Sequence, residues 1–348
     1  MKHDYIIVGG GIAGSVLALT FKQRGKSVLL IDLPKPDSAS KVAAGLFNPV
    51  TGKRSVLTWK AHLIFPYLHQ FYQYWQNKFS NKFFFSTNIY KPFNNISEMN
   101  DLMGKSADEM YKPFIKEIVS QPVRTDVINN SLGGIFFQQC GYLNVKKFLA
   151  ATVEYLQKNN EYLIEKFEPN LLNLKNDKID YKGIKVERVI FCEGASVSSN
   201  PFFNWLKMDP VKGELIEFTT EREPGLDFIV NRDMFLLPLA SNRFLAGATY
   251  DKANLDTQNT AEGRMQIVNK LQRFFKPEIN VVNQWAGVRP ATRDRRPFVG
   301  MHPENKLLAV FNGFGTKGVS LAPFFANQLA DVMLNKKEFD KEINISRF

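Results

Sequence analysis

The spacing of apolar residues changes twice within the first 32 positions. Tyr5-Ile6-Ile7-Val8 is an unbroken β-rich run, Gly9 to Gly14 interrupts it, Ser15 to Arg24 carries helical spacing, and Ser27 to Asp32 is again β-like. This order predicts strand, tight turn, helix, strand. Short apolar runs return at Val186 to Phe191, ahead of Cys192-Glu193-Gly194-Ala195, and at Leu307 to Phe311, ahead of Gly313-Phe314-Gly315. The expectation is a parallel sheet assembled from distant pieces of chain.

Between Trp59 and Phe93, Phe65, Leu68, Tyr72, Trp75 and Phe79 fall at steps of three and four, one face of a helix. Interleaved lysines and aromatics also suit a stacking platform for single-stranded RNA, but the spacing favours a packed helix. From Gly213 to Thr249 the pattern becomes strand-like. Glu214 to Phe218 alternates, and Met234 to Leu237 with Arg243 to Ala246 predict an antiparallel pair about Ser241-Asn242. Thr260 to Phe275 and Ser320 to Leu334 predict helices, the last packing back on the opening unit.

A chain of 348 residues, 44% hydrophobic and 23% charged, suits two intimately packed domains and shows no disorder signature. Its two cysteines, Cys140 and Cys192, and four scattered histidines offer no metal-ligand spacing, so no metal site is expected. Glycines interrupt the apolar N-terminus and no run reaches eighteen apolar residues; the expectation is a cytoplasmic protein with no membrane span. The formal charge of +11 admits nucleic acid, an anionic membrane, or a phosphate-bearing cofactor with an acidic substrate. The lysines are spread and only Arg293, Arg295 and Arg296 are dense, which favours a solvated basic surface over a nucleic-acid footprint.

Gly9-Gly10-Gly11-Ile12-Ala13-Gly14 fits G-x-G-x-x-G between a strand and a helix, the context that makes the pattern informative. Gly9 permits the turn, Gly11 lets the backbone approach a pyrophosphate, and Gly14 lets helix and strand pack closely. The helix start at Ile12 and Ala13 then faces the phosphates. Asp32, closing the second strand, is placed to accept hydrogen bonds from a ribose. The motif alone leaves NAD and FAD open; its place at residue nine, with no second copy and a long discontinuous remainder, favours FAD.

Nearly the whole chain resembles the D-amino-acid oxidase family of FAD-dependent flavoproteins, with glycine oxidase, sarcosine oxidase and the oxidase part of the bacterial tRNA wobble-uridine enzyme among its relatives. The resemblance rests on Asp4 to Gly14, Ser40 to Gly45, Gly141-Tyr142-Leu143, Val189 to Ala195 and Pro210 to Glu214. It continues in Pro238 with Ala246 to Thr249, in Gly287-Val288-Arg289-Pro290 with Asp294, Pro297 and Gly300, and in Gly313 to Pro323. The implied fold class is α/β (α+β): a Rossmann-type FAD-binding domain (1–88, 141–210 and 285–348) and a discontinuous second domain on an antiparallel sheet (89–140 and 211–284). The resemblance lays Ser40, Lys41, Ala43, Ala44 and Gly45 along the flavin and Glu193 and Gly194 near the adenine half. It sets Gly313, Gly315, Thr316, Lys317 and Gly318 at a helix start near the isoalloxazine, where Lys317 and the helix dipole stabilise negative charge at N1 and O2. Arg289 becomes the substrate anchor, gripping a carboxylate in a bidentate fork; the alternative for it is a surface salt bridge.

The implied activity is oxidation of a C–N bond in an amino acid or secondary amine, with hydride passing to flavin N5 and the partner a small-molecule amine. Two departures bear on this. Phe235 stands where glycine oxidase has a tyrosine, and Thr316 where it has an arginine, so a second carboxylate contact is not carried over. Two other readings stay open: an oxidase acting on carboxymethylaminomethyl-uridine in tRNA, toward which Thr292 to Pro297 and Gly313 to Gly318 lean, and a flavoprotein without amine oxidase activity.

Overall fold

The strand Tyr5–Val8 lies inside a six-stranded sheet whose order is Tyr162–Ile164, Val28–Asp32, Tyr5–Val8, Arg188–Phe191, Leu308–Asn312, Phe298–Met301. The structure is a computed structural model and describes residues 3–52, 54–175, 178–334 and 338–348. The first five strands run parallel and Phe298–Met301 closes the edge antiparallel. Both faces are covered, which is why these strands read as unbroken apolar runs. Tyr5 and Ile7 pack with the helices, whereas Ile6 and Val8 pack with Phe167, Ile179 and Tyr181 on the opposite face. A three-stranded antiparallel sheet, Leu172–Lys175, Lys178–Tyr181 and Ile184–Val186, supplies part of that second cover.

The helix Ile12–Gln23 packs against the last helix, Gly318–Met333, so the two glycine-bearing turns become neighbours. The aromatic stripe forms the helix Ala61–Phe79, burying Phe65, Leu68, Tyr72 and Trp75 as its spacing predicts. The Tyr72 hydroxyl donates to the Val319 carbonyl at 3.0 Å, tying this helix to the last one.

An eight-stranded sheet follows the order Asn280–Arg289, Val211–Thr219, Arg243–Gly247, Phe235–Ala240, Ile229–Asn231, Ile89–Pro92, Gly134–Phe137, Ile115–Val119. All its pairings are antiparallel except Ile229–Asn231 on Ile89–Pro92. The expected hairpin about Ser241-Asn242 is present, with Ser241 at φ +51°. The helix Ala261–Gln272, capped by Thr260, covers this sheet through Ile267 and Leu271. Asn280–Arg289 runs through residue 285 as one strand and ends at Arg289, beside Val211. Among the described residues no helix is long and apolar enough to cross a membrane.

Candidate active site

Packing fixes the glycine turn. Gly9 has φ +101°, a left-handed value that favours glycine, and a Cβ there would stand 2.7 Å from the Cys192 carbonyl oxygen. A Cβ on Gly14 would overlap the Gly9 carbonyl oxygen, so only glycine lets the helix lie against the strand end. Gly11 differs: it is the helix N-cap, and a Cβ there would meet nothing but the Ser40 side chain, 3.1 Å from its hydroxyl oxygen. Ser40 in turn accepts the Ile12 N–H at 3.0 Å.

A Cβ on Gly318 would stand 2.9 Å from Ile12 Cγ2, so the two helices begin side by side. Neither carries an acidic residue in its first turn or a side-chain hydrogen bond at its N-cap. Two positive helix ends therefore meet with no protein anion within either first turn, which fits the diphosphate of a dinucleotide. The Asp32 carboxylate lies over the same turn, where a Cβ on Gly10 would come within 2.7 Å of Oδ2. Among the described residues it accepts no hydrogen bond and has no ion-pair partner, so neither carboxylate oxygen is engaged there.

Ser40 to Gly45 is not a plain loop. Ala39–Val42 is a single helical turn, and Gly45 is held by its carbonyl, which accepts the Leu143 N–H at 3.0 Å. Lys41 and Ala44 are half-buried and Ala43 is exposed. Val42 reaches the second sheet, where a Cβ on Gly287 would stand 3.3 Å away. Glu193 takes a 2.6 Å hydrogen bond from Asn200, and burial raises its carboxyl above the usual range. The Gly194 carbonyl accepts from Asn312 at 2.9 Å, joining the turn after Arg188–Phe191 to the strand before Gly313.

From Gly313 the chain enters a short 3-10 turn, Gly315–Lys317, in which the Gly315 N–H donates to the Pro290 carbonyl at 3.0 Å. Thr316 is exposed. Lys317 turns inward, and its Nζ donates to Thr51 Oγ1 at 3.2 Å and Thr58 Oγ1 at 3.1 Å. Burial, reinforced by Arg295 and Arg296, brings its pKa down to about 8. The two threonines come from a small hairpin, Val50–Thr51 with Val56–Leu57, and from the residue after it. Neither stood out in the sequence, where nothing local links them to residue 317.

Arg289 is wedged between strands. Its Nη1 donates to the carbonyls of Thr249 (3.2 Å) and Lys212 (3.4 Å), and Nη2 to Thr249 (3.2 Å). The guanidinium lies flat on Gly213, where any Cβ would overlap it. An arginine has five N–H donors; with three such bonds, at least two donors have no acceptor among the described residues. Among the described residues no carboxylate pairs with it, and burial lowers its pKa. This is not the surface salt bridge that the sequence left open. The signal for its platform was the glycine inside Val211–Thr219, since a strand glycine marks a close approach.

Gly287, Pro290 and Ala291 thus touch the Ser40 and Gly313 segments, and the sequence-expected residues gather along one continuous path from Asp32 to Arg289. Residues 4–332 match the family described as "DAO: FAD dependent oxidoreductase", and the chain belongs to that family. Its cofactor is FAD, and the protein is an FAD-dependent oxidoreductase. The chain is 30% identical to glycine oxidase of Bacillus subtilis over 151 residues, covering 41% of this chain and 40% of that protein. It is 22% identical to the tRNA 5-methylaminomethyl-2-thiouridine biosynthesis bifunctional protein of Marinobacter nauticus, over 94% of this chain and 54% of that one. The chain spans about half the length of the curated relatives it matches. The crystal structure of glycine oxidase from Geobacillus kaustophilus superposes with a TM-score of 0.82 at 20% identity, covering 100% of this chain and 99% of that one.

Proposed function

We propose that the protein oxidises the C–N bond of a carboxylate-bearing amine, an amino acid or secondary amine, with Arg289 holding the carboxylate. The observation that carries this reading is a half-buried guanidinium with, among the described residues, at least two donors without an acceptor and no anion. An unanswered buried charge is costly, and a substrate carboxylate answers it in bidentate geometry.

In this reading Gly9, Gly11, Ile12, Ala13 and Gly14 cradle the diphosphate and Asp32 takes the ribose. Glu193 and Gly194 flank the adenine half; Ser40, Lys41, Ala43, Ala44 and Gly45 lie along the ring system. Gly313, Gly315, Thr316, Lys317 and Gly318 face its pyrimidine edge. FAD supplies a two-electron acceptor there. Arg289 fixes the carboxylate and hence the adjoining carbon, so that positioning does most of the catalysis. Lys317, cationic at neutral pH and steadied by Thr51 and Thr58, places positive charge at the start of the last helix. A neutral amine would give up its α-hydrogen with two electrons, as hydride, to that two-electron acceptor and become an iminium ion. The iminium ion loses its N–H proton to solvent or is hydrolysed by water to the carbonyl product and the freed amine.

The test is anaerobic bleaching of the flavin with amino acids, N-methyl amino acids, and tRNA with and without the carboxymethylaminomethyl group. Bleaching by a carboxylated amine, weakened in Arg289→Ala, supports the reading. Bleaching equally efficient in Arg289→Ala would overturn it, and reduction by modified tRNA alone would move the substrate to RNA.

A further inference from the structure

The Arg289 guanidinium rests on two carbonyls, those of Lys212 and Thr249, and what holds these carbonyls lies on the far side of the sheet. Strand side chains alternate in direction, so Lys212 and Glu214, on either side of Gly213, point away from the arginine that lies on that glycine. Both are almost wholly buried, at 2% and 3% exposure. Charged residues buried so deeply need fixed partners.

All but one of those partners come from a single segment, 249–260, between the strand Arg243–Gly247 and the helix Ala261–Gln272. At its start the Glu214 N–H donates to Thr249 Oγ1 at 2.8 Å, and the Thr249 N–H donates to the Glu214 carbonyl at 3.2 Å. At its end the Glu214 carboxylate accepts the Thr260 N–H at 2.9 Å and the Thr260 hydroxyl at 2.7 Å; Gln284 adds a third donor at 2.6 Å. Between these points Lys212 and Asp251 exchange backbone hydrogen bonds of 2.8 and 3.0 Å. The Lys212 ammonium donates to Asp256 at 2.5 Å, its one partner among the described residues.

The two anchors are therefore unequal. Glu214 is answered by three neutral donors, whereas Lys212 depends on one carboxylate whose own side chain is 54% exposed. That ammonium holds the Asp256 carboxyl below the usual range. Without Asp256 a buried ammonium has no counter-ion and is driven toward water. Lys212 carries one of the two carbonyls under Arg289, and its backbone is bonded to Asp251, two residues from the other. Any shift of Lys212 thus moves both supports.

We propose that Asp256 is a positioning residue for the substrate anchor: through the Lys212 ammonium it fixes the strand and the 249–260 segment, so that the Lys212 and Thr249 carbonyls hold the Arg289 fork in place. What the fork binds rests on the amine-oxidising reading. The sign of the effect separates positioning from plain electrostatics. Deleting a carboxylate near an anion site favours anion binding through the field alone, whereas loss of position weakens it.

The holoprotein is titrated with (methylthio)acetate, a carboxylate that is not an amine, and binding is read from the flavin spectrum. Asp256→Asn should bind it about tenfold more weakly than the native protein, the worth of one charge-assisted hydrogen bond at Arg289. Asp256→Glu should recover part of that loss, and in Lys212→Met the Asp256→Asn substitution should add nothing further. Equal or tighter binding by Asp256→Asn, with binding lost in Arg289→Ala, overturns the inference and leaves the amine-oxidising reading standing. So does an undiminished effect of Asp256→Asn in the Lys212→Met background. Equal binding by Arg289→Ala and the native protein overturns that reading instead, and the arginine itself then decides the inference. Its guanidinium NMR signal, identified by its loss in Arg289→Lys, should shift or broaden in Asp256→Asn and return in Asp256→Glu. A signal that stays in place overturns the inference, whatever the site binds.

Discussion

The glycine turn at Gly9–Gly14 and the sheet end at Arg289 are built in opposite ways. In the first, backbone does the work: amides, a helix end and the absence of side chains shape the space. In the second, a single side chain is suspended on the carbonyls of Lys212, in the neighbouring strand, and of Thr249, two residues past the end of Arg243–Gly247, and lies against Gly213. A site made of backbone tolerates almost no change at its glycines, whereas one made of a side chain is graded by what replaces it.

The largest effect should separate Gly14 from Gly11. Gly14→Val puts a methine carbon into the Gly9 carbonyl and should cost more than about 3 kcal/mol, read as loss of soluble protein or a collapse of the urea midpoint. Gly11→Leu meets only Ser40, so the chain should fold with near-native circular dichroism and yet purify without yellow colour. A yellow Gly11→Leu would show that this face does not carry the cofactor.

Next comes the side-chain half. Arg289→Ala should lower kcat/KM for carboxylated amines about a hundredfold, and Arg289→Lys, which keeps charge but loses the fork, about tenfold. FAD content should stay the same in both. Asp32→Ala should weaken FAD retention by about 1–2 kcal/mol, measured by dialysis, without changing the ranking of substrates; an unchanged FAD affinity would remove the ribose role.

Lys317 gives an effect that is read as a slope with pH, and one with a sign. Its pKa is about 8 in the folded chain against the ordinary 10.5. The unfolded chain therefore holds a proton that the folded one has released, so this residue makes stability rise with pH between those values. Urea unfolding from pH 7 to pH 10 should show that rise in the native protein, and Lys317→Met should flatten it. Equal slopes in the two would mean that Lys317 is better solvated than its position implies.

The same contrast explains what was legible in the sequence. The turn, the paired strand at Val28–Asp32, the aromatic helix and the hairpin about Ser241-Asn242 are local, and local spacing names them. The placement of Gly213 beneath Arg289 and of Thr51 and Thr58 around Lys317 joins residues 76, 266 and 259 positions apart. No periodicity carries such a pairing, because the sheet order that creates it is decided by which buried faces fit. The sheet at 172–186 does alternate, with Leu172, Leu174, Ile179, Tyr181, Ile184 and Val186 inward and Asn173 opposite Asp180 on the other face, but its strands of three and four residues are too short for that alternation to stand out. The helical turn Ala39–Val42 is too short for its period to register.

The strand Tyr5–Val8 gains its two neighbours at very different moments of synthesis. Its neighbour on one side, Val28–Asp32, is made almost at once, but the other side waits for Arg188–Phe191, on the order of 10–40 s later at ribosomal speeds. The helix that begins beside the glycine turn waits longer still, until Gly318 has been added. During that interval the nascent chain presents an open apolar strand edge and half a cradle, a natural client for a chaperone.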